Sequence, residues 1–306
     1  MALTHLHTAG GAPALRRRGP QQYPRRVGPW ELVGLVGEGA LSRVHRARPA
    51  GSSDGQGSYA LKMLRPRWED DARAVEMLRR EALVGRNVSN PHLVPVLRFH
   101  LARKPRYLVM PWLGGTTLLA AMGAGHRFDV PVALSIARQA AEGLAALHAA
   151  GWRHGDLKPQ NLFLSPEGHV TLLDLGFARS FWEREDVGAR CVTGTCRYFA
   201  PELTSPAHRP DARADVYSLG IVLYELLAGR PPFDATEMTE LARLHHEARP
   251  PQLSEARPLL PRSVVELVHR MISKSPLRRP RTAAELVELL ARLEIETFSE
   301  RAVPRA

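Results

Sequence analysis

The sequence predicts an α+β protein of two lobes, a small β-rich lobe followed by a larger helical one. Three observations carry this. The first hundred or so residues hold about five strand-like runs and one helical pattern. The character changes after Pro111-Trp112-Leu113-Gly114-Gly115, where long helical patterns take over. The chain has 306 residues, enough to bury a large core in one or two domains.

In chain order, residues 1–28 are rich in Gly, Pro, Arg and His without any period, which reads as a disordered basic tail. Structure is expected from near Trp30. Trp30 to Val36 and Arg43 to Ala47 read as two strands joined by a glycine-bearing turn, a device that can lay backbone N–H groups over phosphates. Residues 49–58 form a flexible hairpin loop. Tyr59 to Leu64 is a third strand, with Lys62 set among apolar neighbours; a lone strand lysine is ordinarily a solvated edge residue. Asp70 to Arg86 is helical and offers Glu76 and Glu81 as partners for Lys62. Val94 to Phe99 and Tyr107 to Met110 give two more strands. Pro131 to Ala150 is an amphipathic helix, and Asp215 to Ala228, apolar nearly all round, should be a buried central helix. Helical patterns recur at 236–247, 263–273 and 282–293. The division is then a tail (1–28), a domain (29–293: small lobe 29–110, hinge 111–115, large lobe 116–293) and a C-terminal tail (294–306).

The formal net charge of +11 raises nucleic acid as a partner, but residues 1–30 supply five Arg and no acid, and no predicted helix carries a dense cationic stripe. Nucleic acid is not expected. No apolar run reaches the roughly 18 residues of a membrane span, and no secretory h-region is visible. Cys191 and Cys196 match no zinc or CxxC spacing, which suits a reducing, cytoplasmic setting. Arg outnumbers Lys 38 to 4, so a surviving Lys is notable; Lys62 and Lys158 both fall in the stretches that matter. An ammonium is a compact point charge that Arg does not replace.

The stretch from Arg153 to Gly176 organises the rest. Asp156, Lys158 and Asn161 lie close together in sequence, followed by two apolar runs (162–164 and 170–173) split by the turn-like Ser165-Pro166-Glu167-Gly168, and then by Asp174. A strand–turn–strand hairpin brings Asn161 and Asp174 together. Their oxygens suit magnesium, which is held by one or two protein groups plus substrate phosphates.

These elements, in this order, resemble the eukaryotic-type protein kinase family over roughly residues 28–293. The resemblance rests on the Gly-rich loop Gly37-Glu38-Gly39-Ala40-Leu41-Ser42-Arg43-Val44, the strand lysine in Ala60-Leu61-Lys62, His154-Gly155-Asp156-Leu157-Lys158-Pro159-Gln160-Asn161, Asp174-Leu175-Gly176 and Ala200-Pro201-Glu202. It implies a bilobal protein-kinase-like fold that uses ATP and Mg²⁺ (or Mn²⁺) on protein substrates. Lys62 would hold the α/β-phosphates, oriented by Glu81. Asn161 and Asp174 would carry the metal. Asp156 would take the substrate hydroxyl proton, with Lys158 by the γ-phosphate. The nucleotide would lie under Val36, Gly37, Glu38, Gly39, Ala40, Leu41, Ser42, Arg43 and Val44, its adenine sandwiched by Val44, Ala60 and Phe163, with Met110 before the hinge and Leu113 within it. Asp215 would hydrogen-bond the catalytic loop, and Glu202 and Arg279 would form a buried ion pair. Lys158 and the segment Gly194 to Glu202, with Thr195 bonded to the catalytic loop, resemble the Ser/Thr rather than the Tyr class. Autophosphorylation is part of this expectation, and the composition looks bacterial. The chain closes soon after the last helical pattern, so no attached sensor or membrane span is expected.

Departures from the family pattern are few. Ser42 stands for the third glycine of the loop and should stiffen it. Leu175 replaces Phe. Gly85 stands where a helix Leu normally stacks on Leu175 and His154, which leaves a gap. Gly155 replaces the Arg that normally binds an activation-loop phosphate, so activity should not depend on phosphorylating Thr193 or Ser180. Two other readings compete: a small-molecule phosphotransferase related to aminoglycoside and choline kinases, which also use His-Gly-Asp, and a pseudokinase scaffold, whose usual loss of the Lys, catalytic Asp or metal Asp is not seen here.

Overall fold

A computed structural model describes residues 25–53, 55–125, 128–183, 196–204 and 210–298. The chain opens on an antiparallel sheet made by β1 (Arg26–Val27), β2 (Trp30–Glu38), β3 (Ser42–Pro49), β4 (Tyr59–Leu64), β5 (Arg98–His100) and β6 (Tyr107–Pro111), in the order β1-β2-β3-β4-β6-β5. Its single long helix, α1 (Ala72–Asn87), starts where the Asp71 carboxylate accepts the Ala74 N–H. Helix and sheet close a small core of Leu64, Leu78, Ala82, Val96, Leu108 and Met110.

Order begins earlier than Trp30. Val27 is buried and pairs with Trp30, so the final residues of the expected 1–28 tail belong to the sheet. The expected strand Val94–Phe99 is also different, since only Arg98–His100 is strand. The Val94 N–H goes to Leu172 O and the Val96 N–H to Gly85 O, so this stretch is docked to neighbouring elements rather than laddered. Val94 and Val96 are buried and Pro95 and Leu97 exposed, an alternation that mimics a strand.

After the hinge come β7 (Thr116–Thr117), α2 (Leu118–Gly123) and α3 (Val130–Ala149). Then follow β8 (Trp152–Arg153), β9 (Leu162–Leu164), β10 (Val170–Leu172) and β11 (Arg179–Ser180). The hairpin read from sequence is present, with Leu162 opposite Leu172 and Phe163 opposite Thr171. The large lobe is completed by α4 (Arg213–Ala228), α5 (Met238–Glu247), α6 (Leu253–Ala256), α7 (Arg262–Met271) and α8 (Ala283–Thr297). Helix α4 is buried on every side from Ala214 to Leu227. The last helix runs past residue 293, where the expected domain ended.

The lobes are joined by the loop after α1. The Leu172 N–H donates to His92 O at 2.8 Å, and His92 O in turn lies 2.9 Å from where a Cβ on Gly143 would stand. Helix α3 therefore passes this loop at a distance only glycine permits.

Candidate active site

Lys62 lies on β4 with its side chain turned to α1 and the Asp174 loop. Its Nζ is 2.9 and 2.7 Å from the two Glu81 oxygens and 3.0 Å from Asp174 Oδ1. Burial works against the ammonium, but Asp174 and Glu81 outweigh it and push the Lys62 pKa above the usual lysine range. Glu81, not Glu76, is thus the partner; Glu76 pairs with Arg80 one turn on. Burial would raise the Asp174 carboxyl, yet the Lys62 and Lys158 cations and the Gly176 N–H hold it below the ordinary value. Asp174 has φ of 59°, left-handed backbone that a non-glycine residue adopts only at some cost.

Asp156 is fixed from below. Asp215, on α4, accepts the backbone N–H of His154 at 2.8 Å and of Gly155 at 2.9 Å, and His148 Nε2 reaches its Oδ2 at 2.8 Å. Burial would raise the Asp215 carboxyl, but the His148 hydrogen bond and charge, His154 and the Gly155 N–H hold it at about 2. Gly155 itself has φ of 75°, a conformation for which glycine is the unstrained residue. Asn161 Nδ2 donates to Asp156 O at 2.8 Å and to Oδ2 at 3.0 Å, and Lys158 Nζ is 2.9 Å from the same Oδ2. Asp156 Oδ1 is buried and has no hydrogen-bond partner among the described residues. Burial pushes the Asp156 carboxyl up, and Lys158 pulls against it.

These groups line a cleft cavity of about 560 Å³. Its walls include Gly39, Ala40, Leu41 and Ser42 of the loop above, Lys62 and Glu81 behind, and Asp156, Lys158, Asn161 and Asp174 below. Arg197, Tyr198 and Glu225 also line it, the Tyr198 hydroxyl donating to Glu225 Oε2 at 2.8 Å. The residues expected around adenine lie outside this lining. Ala60 faces Met110 across the β4–β6 pair, and both pack with Leu113 against the small-lobe core. Val44 pairs with Lys62 across β3–β4, Phe163 is half-buried on β9, and Val36 is exposed on β2. Gly37 pairs with Val44, and Glu38 with Arg43, on the β2–β3 arms of the loop. Glu38 Oε1 is taken by Arg43 and Arg65, each at 3.2 Å.

Three contacts were not legible in the sequence. His148 sits on the last turn of α3, eight residues before Asp156, with nothing local to mark it. Arg80 of α1 donates to Ala178 O at 2.9 Å and is 2.5 Å from Glu183. The contacts of Arg65 and Trp68 to the loop tip depend on how β4 meets α1. Thr193, Gly194, Thr195 and Cys191 lie outside the described residues, as does the side chain of Cys196; Ser180 is in β11, paired with Trp152.

A β-sheet lobe over a helical lobe, with a Lys–Glu pair behind the cleft and Asp, Lys and Asn on one loop below it, is the arrangement of a phosphotransferase. The chain matches the model of the protein kinase domain over residues 30–289 and belongs to that family. Among curated relatives it is 31% identical over 265 residues to a probable serine/threonine-protein kinase, CPE1738, of Clostridium perfringens, covering 87% of this chain and 38% of that protein. It is 30% identical over 266 residues to the serine/threonine-protein kinase PknD of Mycobacterium tuberculosis, covering 87% of this chain and 40% of that protein. It is 28% identical over 281 residues to the serine/threonine-protein kinases drp72 of Corynebacterium efficiens, covering 90% of this chain and 53% of that protein. The chain thus spans about two fifths to one half of the length of these relatives. Among the described residues no helix is long and apolar enough to cross a membrane.

Proposed function

We propose that this chain transfers the γ-phosphate of ATP to Ser and Thr hydroxyls of proteins, itself included. The observation that carries the reading is Asp156: a buried carboxylate in the wall of the cleft, with one oxygen held by Lys158 and Asn161 and the other without a hydrogen-bond partner among the described residues. That second oxygen would accept the proton of an incoming hydroxyl. As the hydroxyl oxygen bonds to the γ-phosphorus, the bond from phosphorus to the β-phosphate oxygen breaks and ADP leaves. Lys62, kept charged by Glu81 and Asp174, receives the α/β-phosphates, and Lys158 the γ-phosphate.

Asn161 and Asp174 fit a magnesium or manganese ion. Asp174 stays ionised, and the Asn161 amide nitrogen is committed to Asp156, which leaves its oxygen for a cation. Among the described residues no cluster of three or more His, Cys, Asp or Glu suits a metal, so two protein oxygens completed by phosphates is the expected site. When bound, the ion neutralises charge on the transferring phosphate.

Phosphorylation of the activation segment is not required in this reading. Gly155 offers no guanidinium for a phosphate, and Arg80, next to Glu81, is already engaged by the Glu183 carboxylate. The naming of the relatives and the Lys158–Asp156 pair favour protein hydroxyls over small alcohols and over a scaffold without activity.

Incubation with labelled ATP and Mg²⁺ tests the proposal. Wild type should label itself and a generic basic protein; Asp156→Asn and Lys62→Met should not. Equal labelling in all three ends the kinase reading. Thr193→Ala should stay active, and its loss of activity in a folded protein ends the phosphorylation-independent part.

A further inference from the structure

The tip of the glycine-rich loop is gripped by the segment that joins β4 to α1. Three consecutive carbonyl oxygens of the tip accept hydrogen bonds from it. Trp68 Nε1 donates to Ala40 O at 2.9 Å, Arg65 Nη1 to Gly39 O at 3.2 Å, and the Arg65 backbone N–H to Leu41 O at 2.9 Å. Arg67 Nη2 adds a longer contact to Ala40 O at 3.4 Å, and Arg65 Nη2 reaches Glu38 Oε1 at 3.2 Å. The Gly39 N–H closes the tip on Ser42 O at 2.9 Å, and Leu41 and Trp68 both pack on the small-lobe core.

This grip has a directional consequence. In a planar trans peptide the C=O and the following N–H point to opposite sides. Holding the Gly39 and Ala40 carbonyls on the Arg65–Trp68 side turns the N–H groups of Ala40 and Leu41 away from it. Both residues line the cleft cavity above Lys62 and Asp174, so the freed donors are set for anionic oxygens. Ser42, in place of a third glycine, narrows the tip's freedom further.

We infer that Trp68 and Arg65 are positioning residues for the nucleotide's phosphates, acting through the loop tip without touching substrate. The inference rests on the ATP-dependent reading above. It predicts an effect confined to ligands that carry phosphates. Trp68→Phe keeps the ring packing and removes only the indole donor. Losing one hydrogen bond of about 1 kcal/mol corresponds to about fivefold in affinity.

The test is calorimetric titration of wild type, Trp68→Phe and Arg65→Gln with two probes, a non-hydrolysable β,γ-bridged ATP analogue with Mg²⁺, and adenosine. Both variants should bind the analogue about fivefold more weakly and adenosine as wild type does, with the analogue's loss appearing in KM for ATP rather than kcat. Unchanged binding of the analogue overturns the inference, as does equal weakening for both probes, which would make Trp68 and Arg65 packing residues only. Arg65→Gln, at a half-buried position outside the core, keeps the test open if Trp68→Phe does not fold. If wild type binds neither probe, the kinase reading itself has failed, an outcome distinct from a clasp without effect.

Discussion

The Cγ2 methyl of Val96 lies 2.7 Å from the point where a Cβ on Gly85 would stand. The space that a helix leucine was expected to fill is therefore occupied from the other side, by the loop that follows α1. Leu175 and His154, beside which a gap was expected, are both fully buried. Val96 cannot retreat, because its N–H is bonded to Gly85 O at 2.9 Å.

Gly85→Leu should accordingly destabilise the protein, although leucine is the better helix former by nearly 1 kcal/mol. Overpacking at such a site costs about 1–3 kcal/mol. Adding Val96→Ala to Gly85→Leu should restore much of the loss. Urea unfolding of the two single variants and the double one measures the coupling; additive losses would mean the two side chains do not share one space.

The small lobe was legible because its strands are short apolar runs punctuated by glycine; the residues alone left Glu76 and Glu81 open as partners of Lys62, and the resemblance to the kinase family singled out Glu81. What sequence could not supply is contact made across the fold. Val94 to Phe99 alternates like a strand, yet its buried valines answer to α1 and β10. Gly85 reads as a missing residue until Val96 is placed against it. His148 has no local mark, and its role appears only once α3 and α4 cross beneath the catalytic loop. Composition pointed to a disordered tail up to residue 28, but Val27 was apolar and already within reach of Trp30 for pairing.

In the proposed reaction Asp156 would set the acid limit of activity. Burial lifts its carboxyl above the ordinary range and Lys158 restrains it. Only the carboxylate accepts the hydroxyl proton, so kcat/KM should fall as pH drops through a value above the usual aspartate pKa of about 3.9. Replacing Lys158 by Gln removes the restraint, and the acid limb of the residual activity should move to higher pH. A limb that stays in place, or moves down, would show that Lys158 does not tune Asp156.

Asp215 links the same loop to stability. Its folded pKa is about 2, below the ordinary aspartate value of about 3.9. A depressed carboxyl contributes stability that is complete above its unfolded pKa and lost as pH falls through the folded one. The shift is worth about 2 kcal/mol at neutral pH, disappearing between about pH 4 and pH 2. Asp215→Asn should be less stable than wild type by about that amount at pH 7, and the two should converge toward pH 2. Denaturant midpoints across that range supply the comparison, and a constant difference would place the effect elsewhere.

The Glu202–Arg279 pair is buried, and both guanidinium nitrogens meet the carboxylate, at 2.5 and 2.9 Å. Arg279 also donates to the carbonyls of Ser273, Arg213 and Lys274 and lies 4.7 Å over the Tyr217 ring. It thus ties the segment around Glu202 to α4 and to the turn after α7. Arg279→Met should cost about 3–5 kcal/mol, because Glu202 is left charged and unpaired. Glu202→Leu added to Arg279→Met removes that charge and should recover part of the loss, while the three carbonyls remain without their donor. Thermal unfolding of the single and double variants separates the two contributions. If the double variant is no more stable than Arg279→Met, the carbonyl contacts rather than the ion pair hold this corner of the large lobe.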